Sequence, residues 1–153
     1  MLKKTITYED YVGDKRTKDF YFHMNQVEFA KLNSEIPGGL EKRIQEIIDD
    51  KDDGAMLRII DLLVTRSYGR FDEDDEFTKI DRSGRPLFEK FVNTDAYDKL
   101  IIELVSGENN IVNFLKAILP KDLQNKLEEA EKEKKAEEPA KLTAVPNTPS
   151  ANK

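Results

Sequence analysis

Three features of this sequence could support chemistry: five consecutive carboxylates (Asp72-Glu73-Asp74-Asp75-Glu76), the acidic turn Asp49-Asp50-Lys51-Asp52-Asp53-Gly54, and a single histidine, His23. Paired carboxylates do acid–base work on a glycosidic bond only when a fold holds them at fixed separation across a cleft. Five neighbours on one segment offer no such spacing, so the run reads as a solvated loop, a weak divalent-ion binder or an acidic docking patch. The second turn resembles a calcium loop. Placing Gly54 at the loop's sixth position puts Asp49 first, Lys51 third, Asp53 fifth and Ile60 twelfth. A cation and an aliphatic at the third and twelfth positions remove two oxygen ligands. What remains is an interhelix turn with capping acids. His23 sits between Phe22 and Met24; a catalytic imidazole needs a partner nucleophile or an orienting carboxylate, and no motif supplies either. Gly38-Gly39 is followed by Leu40-Glu41 and so lacks the spaced glycines and Lys-Ser/Thr of a phosphate loop. The expectation is no catalytic residue, no cofactor, no metal and no enzyme.

Composition narrows the class. The chain has 153 residues, 38% hydrophobic and 37% charged, poor in apolar residues for a globular protein. One domain is the prior for this length. Large apolar side chains concentrate before Pro120; beyond it only Leu123, Leu127, Leu142 and Val145 remain. Lys121 to Lys153 holds seven basic and seven acidic residues, so the whole net charge of −6 lies in residues 1–120. A negative body repels phosphate backbones, which argues against nucleic acid. Cysteine is absent, which removes disulfides and thiolate sites. No apolar run reaches the roughly 18–20 residues that span a bilayer, and no signal-peptide pattern is visible. The expected setting is the cytosol, with no membrane partner.

The elements that would carry any site follow from periodicity. Residues 3–9 alternate, with Ile6 and Tyr8 opposite Thr5, Thr7 and Glu9, and residues 16–22 end in Phe20-Tyr21-Phe22. With the Gly13-Asp14 turn between them, they predict a β-hairpin. An isolated hairpin is marginal, so one face must pack on helices. Asn25 with Glu28 has the form of a capping box opening a helix. Leu40, Ile44, Ile47 and Ile48 form one helical stripe, and Ala55–Ser67 is apolar around most of its circumference, which predicts the central helix. Tyr68–Arg85 reads as a long polar connection with room for a short strand at Phe77–Ile80. Pro86 opens a further helix through Val92, Thr94 caps another, and the last body helix ends before Pro120. The predicted architecture is α+β, mostly α: an N-terminal β-hairpin packed on a bundle of about five to six helices, in residues 1–120. Residues 121–138 form a charged arm of helical pattern, and 139–153 a disordered tail rich in Pro, Thr, Ala and Asn.

Two segments are candidates for binding a partner. Phe20, Tyr21 and Phe22 occupy both faces of one strand, so the face turned from the helices could meet another copy or a partner. Leu123 and Leu127, with Ala130, make a short stripe on the arm. It reads either as a solvated end or as an amphipathic segment that folds on a partner.

The pattern Thr5-Ile6-Thr7-Tyr8-Glu9-Asp10-Tyr11, Gly13, Lys15-Arg16-Thr17 and Asp19-Phe20-Tyr21-Phe22, with Gly38-Gly39, Ser67-Tyr68-Gly69 and Thr94-Asp95-Ala96-Tyr97, resembles the short tail assembly chaperones of long-tailed bacteriophages that infect Gram-positive bacteria. The resemblance covers about Leu2 to Leu119. It implies a mostly helical protein that works in the host bacterial cytoplasm and is absent from the mature virion. It implies binding to the tape measure protein, keeping it soluble, and helping tail tube protein polymerise around it. Coating a long rod needs many copies, so self-association is expected as well. Such families often make a longer form by frameshifting, and Lys132–Lys135 is compatible with a slippery site. No binding residue carries over, because the family has no motif that assigns one. The alternatives are a virion structural or decoration protein, and an acidic adaptor or inhibitor that binds a host protein.

Overall fold

A computed structural model of the chain describes residues 1–143 and the side chains of residues 1–133, 135 and 136. Two strands open the fold. β1 (Leu2–Glu9) and β2 (Lys15–Phe22) pair antiparallel from Leu2↔Phe22 to Glu9↔Lys15. Ile6 and Tyr8 are buried while Thr5, Thr7 and Glu9 are exposed, as the alternation requires. On the exposed face Thr5 donates to Asp19 at 2.6 Å, and the Thr7 and Thr17 hydroxyls lie 2.9 Å apart.

The first three helices start where local chemistry starts them. α1 (Gln26–Glu35) opens on the expected capping box: the Glu28 amide donates to Asn25 Oδ1 and the Asn25 amide to Glu28 Oε2, both at 2.9 Å. α2 (Leu40–Asp50) begins after Gly39, which has no side chain to cap it; Asn33 of α1 accepts the Leu40 amide instead, at 2.8 Å. α3 (Asp53–Ser67) is capped by Asp52, whose Oδ1 accepts the Ala55 amide at 2.9 Å. The acidic turn at 49–54 is thus an interhelix turn, with Lys51 in the left-handed region at φ 52°. α3 buries Ala55, Ile59, Ile60, Leu63, Val64 and Ser67 and contacts α2 and β2.

The long connection is more structured than its polarity suggests. β3 (Tyr68–Phe71) follows α3 directly and pairs with β2 through Tyr21↔Gly69 and Phe22↔Tyr68. β4 (Phe77–Thr78) pairs back on β3. The hairpin therefore grows into a four-stranded antiparallel sheet of order β1-β2-β3-β4. Four- and two-residue strands are too short to show a period, and β3 is held by a partner far away in sequence. After Pro86 comes a single turn, α4 (Phe88–Phe91), then α5 (Asp95–Val105), capped by Thr94, and α6 (Glu108–Ile118). α5 packs on β1, α3 and α6.

Residues Met1–Pro120 form one compact unit and Lys121–Lys153 a second. In the first, Phe22, Met24, Leu40, Ile60, Leu63, Leu100, Ile111, Ile118 and Leu119 are fully buried. Ser67 is buried with them, donating to the Leu63 carbonyl at 2.6 Å while its own carbonyl accepts the His23 amide at 2.8 Å. The fold is α+β and mostly α. In the second unit α7 (Lys121–Thr143) continues past Pro139, beyond the expected arm limit at residue 138. The expected tail at 139–153 lies outside the described residues from 144 onward.

Candidate partner-binding surface

The aromatic triplet on β2 divides by the two-residue period. Phe20 and Phe22 face the helices and are 8% and 0% exposed. Phe20 meets Phe91 at 5.1 Å between ring centroids, and Phe22 meets Phe114 at 5.5 Å; Tyr68 stacks on Phe91 at 4.2 Å. These two residues are core, not surface. Tyr21 points the other way, half-buried, edge-on to Phe71 at 5.1 Å, and Phe71 meets Phe77 at 5.9 Å. The outer sheet face therefore carries a strip of Tyr21, Phe71 and Phe77. Gly69 makes the strip continuous. A Cβ there would overlap Phe77 Cζ and lie 2.6 Å from the Thr78 carbonyl oxygen, so Phe77 lies over the space a side chain would fill.

The acidic run at 72–76 has a structural use. The Asp72 amide donates to the Glu76 carbonyl, and Asp72 Oδ1 accepts the amides of Asp74 and Glu76, all at 2.9 Å. The same turn occurs at Asp10–Asp14 and Asp81–Arg85. Each has an aspartate whose carboxylate accepts the amides two and four residues on. Each also has a left-handed fourth position, Gly13, Asp75 or Gly84. Asp81 is held down to about pKa 2 by the Ser83 hydroxyl and the Arg85 amide. Among the described residues no group of three or more His, Cys, Asp or Glu side chains is arranged to hold a metal ion.

His23 lies beside a half-buried ion pair. Lys79 Nζ donates to both carboxylate oxygens of Glu28 and to the Arg66 carbonyl, each at 2.8 Å. Burial raises the Glu28 pKa, but Lys79 and the Asn25 amide outweigh it and hold the group below its ordinary 4.5. The His23 ring stands edge-on to Phe77 at 6.1 Å with Nδ1 buried and unpartnered. Burial, then the N-terminal ammonium and Lys79, push its pKa below 6.5. The ion pair ties α1, the end of α3 and the segment after β4 together, and the cluster offers no nucleophile.

An apolar groove that the periodicity did not single out lies on the helical side. It has a volume of about 580 Å³, with Ile47, Ile48, Met56, Leu57, Leu104 and Val105 as its apolar lining. Ile47 and Leu104 are buried at its floor, while Leu57 and Val105 are 47% and 41% exposed. Lys51, Asp52, Asp53 and Glu108 complete the lining. The available signal was the surplus of apolar residues on α3: a helix apolar around most of its circumference has more than its neighbours can cover. On α7, Leu123 and Leu127 are half-buried and one turn apart, on one helix face.

Against known families, a model described as phage tail assembly chaperone matches residues 1–151. The chain belongs to that family. The match runs through α7, further than the Leu2–Leu119 stretch that carries the resemblance in sequence. No curated protein and no solved structure matches the chain. The phage tail assembly chaperone family is not a family of enzymes, and among the described residues no helix is long and apolar enough to cross a membrane.

Proposed function

We propose that this tail assembly chaperone binds the tape measure protein, keeps it soluble, and promotes assembly of the tail tube around it. It acts in the host bacterial cytoplasm and does not remain in the mature virion. The observation that carries this reading is the family match over residues 1–151. The exposed apolar side chains of the helical groove support it, because a holdase must present apolar surface to an aggregation-prone client. Tyr21 on the outer sheet face and Leu123 and Leu127 on α7 are further contact residues, with tail tube protein and other copies of this chain as additional partners.

The test is co-expression of the full chain with the tape measure protein of the same phage, read by solubility and co-elution. The expected result is a soluble complex. A tape measure that precipitates equally with and without the chain removes the reading. Detection of the chain in stoichiometric amounts in purified virions would favour a structural role instead.

A further inference from the structure

We infer that the groove between α2–α3 and the α5–α6 turn is a docking site for an amphipathic helix whose apolar stripe is flanked by Lys or Arg. The inference rests on the client-binding reading above and assigns it a surface. Three observations lead to it.

The first is shape and chemistry. The groove's floor is Ile47 and Leu104, and its walls are Ile48, Met56, Leu57 and Val105. An apolar trough between helices suits a helix presenting anchors at i, i+3 or i+4, and i+7. Met56 is unbranched and adapts to differing side chains. Ile102, 64% exposed, lies three residues before Val105 on α5 and prolongs the apolar stripe on that helix.

The second is that exposed and buried apolar side chains adjoin here. Exposed Leu57 and Val105 line one groove together with buried Ile47 and Leu104. Scattered single apolar residues need no explanation, whereas a contiguous patch rimmed by polar groups marks an interaction site.

The third is charge. Asp52, Asp53 and Glu108 stand against Lys51 in the lining, and Asp49 and Asp50 end the adjacent helix. An acidic rim around an apolar floor steers cationic partners and repels acidic ones. A second copy of this chain is the poorer occupant. The body carries the entire net charge of −6, and the Leu123–Leu127 stripe of α7 is flanked by Asp122, Glu128 and Glu129 as well as by lysines.

The test uses the full chain and two synthetic fluorescent peptides: an amphipathic helix with a Leu stripe flanked by Lys, and the same helix with Glu for Lys. Binding is read by anisotropy for the wild type, for the double variant Leu57→Glu/Val105→Glu, and for Val27→Glu, which alters an exposed apolar residue of α1 outside the groove. Both groove substitutions replace exposed side chains, and circular dichroism checks that each variant is folded. The expected result is Leu/Lys binding weakened at least tenfold by the groove variant and unchanged by Val27→Glu, with the Leu/Glu peptide at least tenfold weaker throughout. Binding unaffected by the groove variant, equal binding of both peptides, or no binding overturns the inference. So does a self-associated wild type that the groove variant converts to monomer, because a second copy would then be the occupant. A tape measure that precipitates while the Leu/Lys peptide still binds the groove would end the client reading and leave the groove assignment standing. A tape measure retained equally by wild type and groove variant would do the reverse.

Discussion

At the scale of single residues, two positions are decided by backbone geometry. Gly69 lies under Phe77, with the Thr78 carbonyl oxygen only 2.6 Å from any added Cβ. An aromatic ring can rotate away, but a strand carbonyl moves only by breaking the β3–β4 ladder. Gly69→Ala is expected to destabilise the protein by about 2 kcal/mol, in the range for overpacking a tight site, read as a lower denaturant midpoint. Asp75 is the opposite case. It occupies the left-handed position of its turn at φ 60°, where the two sister turns have Gly13 and Gly84. Asp75→Gly is expected to raise stability by about 0.5–1 kcal/mol, because glycine adopts this region without the Cβ penalty. An unchanged or lower midpoint would show that the Asp75 side chain contributes more than its backbone costs. The capping pair Asn25 and Glu28 was legible from spacing alone, since each bond reaches only three residues. The use of Asp72 as a turn acceptor was not read from the acidic run, although Asp-x-x-Gly recurs at 10–13 and 81–84. Charge density drew attention away from turn chemistry.

At the scale of elements, the sheet has an uneven edge. β2 is paired along its whole length by β1, but on its other side only Tyr21 and Phe22 meet β3. The Lys15–Phe20 stretch is thus an open edge. Beside it lies a cleft of about 450 Å³ lined in part by Phe20, Tyr68, Phe91, Lys18, Arg70 and Lys90. Edge strands rich in lysine resist pairing with one another, and Lys15, Arg16 and Lys18 place three cations on this one. On the other side of the hairpin, Lys99 of α5 donates to the Thr7 carbonyl at 2.6 Å, and Lys4 pairs with Glu103. The double substitution Lys15→Val/Lys18→Val is expected to leave the monomer folded and to increase aggregation, measured by light scattering on warming. A variant as soluble as the wild type would mean that the cations do not protect the edge. The hairpin and most helices were legible in the sequence because their apolar positions repeat over two turns or more. β4 falls inside the short strand expected at Phe77–Ile80, but β3 was not legible, because a strand this short takes its stability from a neighbour rather than from a pattern.

At the scale of the whole molecule, the titrating groups give stability an acid limb in two stages. Folding favours neutral His23, so as pH falls the unfolded chain takes up that proton first. The His23 contribution is complete above its ordinary 6.5 and is lost as pH drops toward its lowered folded value. Glu28 is favoured as the anion, so its contribution is present above 4.5 and is lost as pH falls through its lowered folded value. Thermal midpoints should therefore decline gently from about pH 6.5 and more steeply in the acid range below 4.5. His23→Gln should flatten the first stage and leave the second; a first stage that survives the substitution would assign it to another group. Tyr97 adds no limb on the acid side. Burial and its hydrogen bond to Asp61, which joins α5 to α3, raise its pKa instead.

Much of this protein can be read before it folds. Residues three or four apart define caps, turns and helix faces, so Asn25, Asp52 and Thr94 mark helix starts. The apolar surplus of α3 announces the core, and the strand pattern with Gly38-Gly39 and Ser67-Tyr68-Gly69 points to the family. Tertiary structure alone decided three things. It put Phe20 and Phe22 inside and Tyr21 outside, because which face of a strand is covered depends on the helix that arrives there. It turned Tyr68–Phe71 at the start of the polar connection into a strand, because Gly69 and Tyr68 find partners on β2 across nearly fifty residues of chain. And it left Leu57 and Val105 exposed beside each other across a groove, because a helix with more apolar surface than its neighbours can cover shows the excess only once those neighbours are in place.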